Sequence, residues 1–188
     1  MKRIFLISLA LLGLVWAFSY AQEAKPKVIL LISEQNIEGA QQAWWASEID
    51  LSTVETTLAQ RLIEQNYEIL EPSALNKLIK KESAFRKLVL SEEESVKLGN
   101  LAKADYVVLG KAIASAGANV PQSSMRSCFA NLSAKVIQVK SGKALAYMVA
   151  SGNSVHMDVI TGGKEALTNA ADDLALKIIE ALKKEGGK

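Results

Sequence analysis

Histidine and cysteine each occur once in this 188-residue chain, proline three times, and aromatic residues make up only 6% of it. Each scarcity excludes something. A single cysteine, Cys128, rules out an intramolecular disulfide, so the fold must stand on its apolar core. One cysteine and one histidine, Cys128 and His156, cannot build an ordinary three- or four-ligand zinc site without carboxylates. Charge of one sign is also missing, with 22 Lys+Arg against 20 Asp+Glu. Nothing in that balance draws the chain to nucleic acid or to anionic lipid, and no nucleic-acid partner is expected.

The apolar residues that are present begin at once. Lys2 and Arg3 precede a run without charge, "IFLISLALLGLVWAF" from Ile4 to Phe18, and "SYA" follows, with small residues at Ser19 and Ala21. A basic start, an apolar core and a small-residue exit are the three parts of a cleaved secretory signal. The core is also shorter than the roughly 20 residues that span a bilayer as a helix. Residues 1–21 are therefore expected to leave, with cleavage between Ala21 and Gln22. Lys2 and Arg3 go with them, which brings the remaining chain to 20 basic against 20 acidic residues. Residues 22–188 are expected to form one domain, with its core over about residues 27–184.

"KVILLIS" is a continuous apolar run of strand length and suits a strand buried on both faces. The next stretch, "EQNIEGAQQAWWASEID", is polar and aperiodic apart from Trp44 and Trp45, and predicts a long loop. Asp50 or Ser52 can cap the helix that follows, and Ser52 with Glu55 has capping-box spacing. Leu51, Val54, Leu58, Leu62 and Ile63 recur along one face of that helix. Asn66 is a stop before a short strand, "YEIL", and helical segments follow from Ser73 to Leu90. Ser91 and Glu94 repeat the capping box. Glu92, Glu93 and Glu94 then fall in a first helical turn, where the helix dipole accounts for them without a metal.

From Asp105 onward the pattern is mostly β. "DYVVLGKAIASA" reads as a strand, and "CFANLSAKVIQV" alternates, with Ala130, Leu132, Ala134 and Val136 on one face and Asn131, Ser133 and Lys135 on the other. "KSGK" is a compact turn, and "ALAYMVASGNSV" returns as the partner strand of a hairpin. A long helix is expected from Gly162 and Gly163, with Ala166, Leu167, Ala170, Leu174, Ile178 and Leu182 on its apolar face. This order predicts an α/β layered sandwich: a mixed, largely antiparallel sheet of about five strands flanked by about four helices.

No catalytic constellation stands out. His156 and Asp158 would share a strand face, but no Gly-x-Ser-x-Gly elbow accompanies them. Cys128 pairs with His156 only if their strands are neighbours, and its place beside Phe129 in an alternating run points to a buried structural thiol. Gly110-Lys111 after a strand invites a phosphate-loop reading, yet Ala112 and Ile113 stand where that loop needs a hydroxyl and a helix. Gly110 is better read as a point of close packing or a bend in a central strand. No cofactor, metal or small-molecule substrate is expected.

The run "KLGNLAKADYVVLGKAI", the strand and turn "ANLSAKVIQVKSGKALAYMVASG", and a long helix after "GG" together resemble the superfamily of the curli secretion protein CsgG. The lipoprotein activator of penicillin-binding proteins (LpoB) and the middle domain of flagellar assembly protein T share that pattern. The earlier "YEILE" strand and "LNKLI" helix fit it too, so the resemblance covers about residues 27–184. It implies a small α/β domain of the bacterial cell envelope, not an enzyme. Its work is protein contact: with a cell-wall synthase or a secretion or flagellar assembly, or with copies of itself in a ring or collar, at the periphery of outer-membrane assemblies. The lipoproteins of that superfamily carry a cysteine directly after the signal. Gln22 stands there instead, which implies a periplasmic protein without a lipid anchor. Trp44 and Trp45 are the candidate partner contact, since exposed aromatics serve as interface anchors.

Overall fold

The computed structural model describes residues 25–38, 51–70 and 90–186, together with Leu75, Leu78 and Phe85. Along these the chain forms β1 (Lys27–Gln35), α1 (Thr53–Glu64), β2 (Glu68–Ile69), α2 (Glu92–Ala102), β3 (Tyr106–Asn119), β4 (Arg126–Gln138), β5 (Lys143–His156) and α3 (Val159–Gly186). The five strands make one mixed sheet in the order β2-β1-β3-β4-β5, with the three helices packed against it. β2 and β3 run parallel to β1, whereas β3, β4 and β5 form a long antiparallel meander. The expected segment between Ser73 and Leu90 lies almost wholly outside the described residues, as do Trp44, Trp45, Ala21 and Gln22.

Local signals placed the helices. Ser52 caps α1 and Ser91 caps α2, each in a reciprocal capping box with the glutamate three residues on, Glu55 and Glu94. Asn66 ends the α1 turn in a left-handed conformation (φ 68°), which asparagine tolerates. The Glu92–Glu94 run occupies the first turn of α2, at the positive end of its dipole. Two expectations need correction. Ile63 is 56% exposed and not part of the apolar face of α1, because Leu58 and Leu62 already fill the seam toward the sheet. α3 begins at Val159, before the Gly162–Gly163 pair, because Asp158 supplies a cap that the glycines do not.

One face of the sheet carries α1 and α3. Val28, Leu30 and Ile32 of β1, Val108 and Ala112 of β3, and Ala130, Leu132 and Ala134 of β4 meet Leu58 and Leu62 of α1 and Ala166, Ala170, Leu174 and Ile178 of α3. On the other face Ile29, Leu31, Val107, Leu109 and Val139 pack with Leu98 of α2 and with Leu75, Phe85 and Leu90, and among the described residues this cover is partial. β1 is thus buried on both faces, as its unbroken apolar run predicts.

The contact between α3 and the meander is made of small residues. A Cβ at Gly152 would run into the carbonyl oxygen of Ala166 and the backbone nitrogen of Ala170, so strand and helix backbones touch there. Alanines on both sides continue the close approach. Gly110 has the same use in β3, where a Cβ would meet Ile32 and the carbonyl of Ser133. α3 also bonds the outer edge of β5 at two carbonyls. Lys177 Nζ donates to the Val149 carbonyl at 2.8 Å and Asn169 Nδ2 to the Asn153 carbonyl at 2.9 Å. Eight helical residues (about 12 Å) span the same distance as four strand residues (about 13 Å), which is why both bonds form. Asp173, midway between them, holds Lys177 in place at 2.6 Å.

β1 needs partners of its own, because β2 pairs with it only at Lys27 and Val28. Glu55 supplies one. Its Oε1 accepts from the Ile32 N–H at 2.9 Å while Oε2 accepts from Ser52 N–H at 3.2 Å. Glu34 reciprocates by accepting the Val54 N–H at 2.8 Å in the first turn of α1. Both carboxyl groups are buried. Burial pushes the Glu55 carboxyl up to about 7; the bonds from Ile32 and Ser52 pull it back, and the nearby Glu34 adds to the rise.

Two outcomes follow for stability. Gly152→Ala forces backbone away from backbone and is expected to cost about 1–3 kcal/mol in thermal or urea unfolding. Gly186→Ala, in open space, serves as the neutral control. For Glu55, the folded state holds a proton between pH 4.5 and about 7 that the unfolded chain has released, so stability falls as pH rises through that window. Glu55→Gln is expected to remove a decline on the order of 2–3 kcal/mol. Urea titrations at pH 4.5, 6 and 7.5 measure it, and parallel profiles for the two proteins would contradict the assignment.

Candidate interaction surface

Beyond α2 no other described element covers the second face of the meander, and strand parity decides what it shows. The register aligns Lys111, Ser133 and Val149 in one row, then Ile113, Asn131 and Ser151, then Ser115, Phe129 and Asn153. Ser127 and Val155 follow beside Gly117, and Met125 and Met157 continue one residue beyond the Arg126–His156 pair. Ile113, Met125, Phe129, Tyr147, Val149, Val155 and Met157 account for seven of the eleven large hydrophobic residues that are exposed among the described residues. Tyr147, Val149 and Met157 are 72%, 71% and 67% exposed. Scattered exposed apolar residues are ordinary, whereas five on one sheet face, with two methionines just beyond the strand ends, make a patch.

Side-chain contacts bound the patch. The Phe129 ring lies over Gly117, where a Cβ would come within 2.5 Å of Cε2. At the α2 end, Glu92 Oε1 accepts from Lys135 Nζ at 2.8 Å and from the Tyr147 hydroxyl at 3.0 Å. Those bonds lower the Glu92 carboxyl below its usual range and raise the Tyr147 phenol. They also tie the start of α2 to β4 and β5. Two shallow hollows of about 440 and 520 Å³ lie on the face and meet at Lys111, Ser133 and Val149. The strand residues of this face contribute lysines but no carboxylate.

The residues singled out for chemistry lie elsewhere and are already engaged. Asp158 caps α3, its Oδ2 accepting from Thr161 N–H at 2.8 Å and from the Thr161 hydroxyl at 2.6 Å, and these bonds hold its carboxyl below the usual range. The Asp158 N–H donates to His156 Nδ1 at 2.9 Å, so backbone and not carboxylate orients the imidazole. Cys128 and His156 sit on neighbouring strands, as a pair would require, but Gly162 of α3 packs between them. Cys128 is fully buried, with its sulfur 3.9 Å from the Val159 carbonyl. No group of acidic, histidine or cysteine residues suited to a metal occurs among the described residues. Lys111 points into the open face with no glycine-rich loop around it, which removes the phosphate-binding reading of Gly110-Lys111.

Solved structures similar to this chain include lipoprotein GNA1162 from Neisseria meningitidis, 13% identical over 86% of this chain and 98% of that one, with a TM-score of 0.43. They also include the LpoB C-terminal domain from Salmonella enterica (13% identity, 78% and 94% covered, TM-score 0.37) and the PelC dodecamer from Paraburkholderia phytofirmans (12%, 85% and 87%, TM-score 0.43). LpoB, to which the sequence motifs pointed, is thus among the solved structures the chain resembles. No protein-family model matches the chain, and no curated protein sequence does. The functional reading rests on this chain's own residues.

The thiol gives a direct check of the packing around α3. Cys128 is expected to stay unreactive toward a chromogenic disulfide reagent in the folded protein and to react fully once urea unfolds it. Rapid labelling of the folded protein would contradict the burial and reopen thiol chemistry.

Proposed function

We propose that this chain is a non-catalytic accessory protein of the bacterial periplasm that binds an envelope protein through the open face of β3, β4 and β5. The partner belongs to a cell-wall synthase or to a secretion or flagellar assembly. One observation carries the reading: the gathering of five exposed large hydrophobic side chains on one sheet face, with Met125 and Met157 just beyond its strand ends. Their setting among serine, asparagine and lysine resembles the mixed polarity of interfaces that form and separate. Export rests on the signal-like residues 1–21, with cleavage proposed between Ala21 and Gln22, and the lack of a cysteine at position 22 argues for a protein without a lipid anchor. Trp44 and Trp45 are proposed as a second contact. The alternative, an oligomeric ring or collar subunit, draws on the same face, because an exposed sheet face serves self-association equally well.

Affinity recovery from envelope extract tests the proposal. Val149→Asp places a charge in the middle of the face without touching the core, and is expected to reduce partner recovery at least tenfold. Trp44→Ala combined with Trp45→Ala is expected to reduce it further. Undiminished recovery with Val149→Asp would remove the face from the account, and undiminished recovery with the tryptophan pair would remove that loop.

A further inference from the structure

We infer that the open face also pairs with itself: two copies stack sheet on sheet about a two-fold axis that crosses the strands, so that β5 of one copy lies antiparallel over β5 of the other. This rests on the same face as the proposed function and names a second copy as its occupant. Three features lead there.

The first is the edge. Sheets extend most readily by strand addition, but Lys177 and Asn169 cross the outer edge of β5 at two points, where their side chains cap the Val149 and Asn153 carbonyls. Association is thereby turned from the edge to the face. The second is the relief. Among the described residues, α2 stands off this face at one end, packed over Val107, Leu109 and Val139. Two such surfaces close flat only with strands reversed, each raised helix passing beyond the other copy's tip. A two-fold axis along the strands would bring both helices to the same end and hold the sheets apart.

The third is the pattern that reversal creates. Inverting the rows sets Tyr147 over Met157 of the second copy and Val149 over Val155, apolar on apolar toward both ends of β5, with Ser151 over Asn153 between them. From Tyr147 to Met157 the face extends about 34 Å, and at about 15 Å across it buries roughly 1,000 Å² in total. That is the lower limit for a specific interface, so the pair is expected to be reversible and concentration-dependent.

Sedimentation of the purified protein over a hundredfold concentration range is expected to show a monomer passing to a dimer. Val149→Asp and Val155→Asp, at exposed positions, are each expected to weaken the dimer at least tenfold with an unchanged circular dichroism spectrum. Register is tested by cross-linking with a short bis-maleimide. Protein carrying Val149→Cys mixed with protein carrying Val155→Cys is expected to cross-link, and either alone is not, since like positions lie about 20 Å apart in the reversed stack. Cys128 is buried and does not contribute. A strict monomer at the highest concentration, a dimer indifferent to both aspartates, or cross-linking of Val149→Cys alone would each overturn the inference. A monomer that still loses its envelope partner on Val149→Asp would overturn self-pairing and leave the proposed function standing.

Discussion

The arrangement depends on one steric constraint: α3 lies so close to the meander that strand and helix backbones meet. At Gly152 there is no room for a methyl group, and the surrounding positions are alanine on both sides. A larger residue at that seam would lift the helix. Once seated, the 28-residue helix covers one face of β3, β4 and β5 and brings Asn169 and Lys177 to the β5 edge. Helix, edge and face are therefore one problem with one solution. The side chains that remain outside it are those of odd number on the far face, and that is where the apolar surface gathers.

The other half of the sheet is organised by polar contacts. β1 has almost no strand neighbour on its outer side, and the buried carboxyl groups of Glu34 and Glu55 stand in for one by accepting backbone N–H groups from strand and helix. Burial of that pair lifts the Glu55 carboxyl to about 7, so one ordering device is also sensitive to pH. Glu92 has a similar joining use on the far face, tying α2 to Lys135 and Tyr147, but it does so in the open. The three glutamates show how one residue type can serve as a cap, a substitute strand partner or a surface tie according to its surroundings.

Much of this was legible in the sequence because the signals are local. Capping boxes at Ser52 and Ser91, the alternation of Ala130 to Val136, and the 3.6-residue period from Ala166 to Leu182 depend on neighbours within a turn or a strand, and the structure has them. The parallel pairing of β1 with β3 and the second use of Glu55 arise from contacts distant along the chain, which periodicity does not report. Ile63 was misplaced because helical spacing gives a stripe without its width. The candidate face was partly visible. Phe129 shares the parity of Asn131, Ser133 and Lys135, and in "AYMVASGNSVHM" the odd positions Tyr147, Val149, Val155 and Met157 are apolar. Only the register shows that these two sets share one surface.

The central claim is that the odd-numbered face of β3, β4 and β5 is the association surface. Methyl relaxation by a soluble paramagnetic probe, recorded on dilute protein and again on concentrated protein or with envelope partner added, tests it most directly. Methyl groups of Ile113, Met125, Val149, Val155 and Met157 are expected to relax strongly in dilute solution and to become shielded together on association, while those of Leu174 and Ile178 beneath α3 do not change. Shielding centred instead on Ile63 or Leu176, or none at Val149 and Val155, would contradict it.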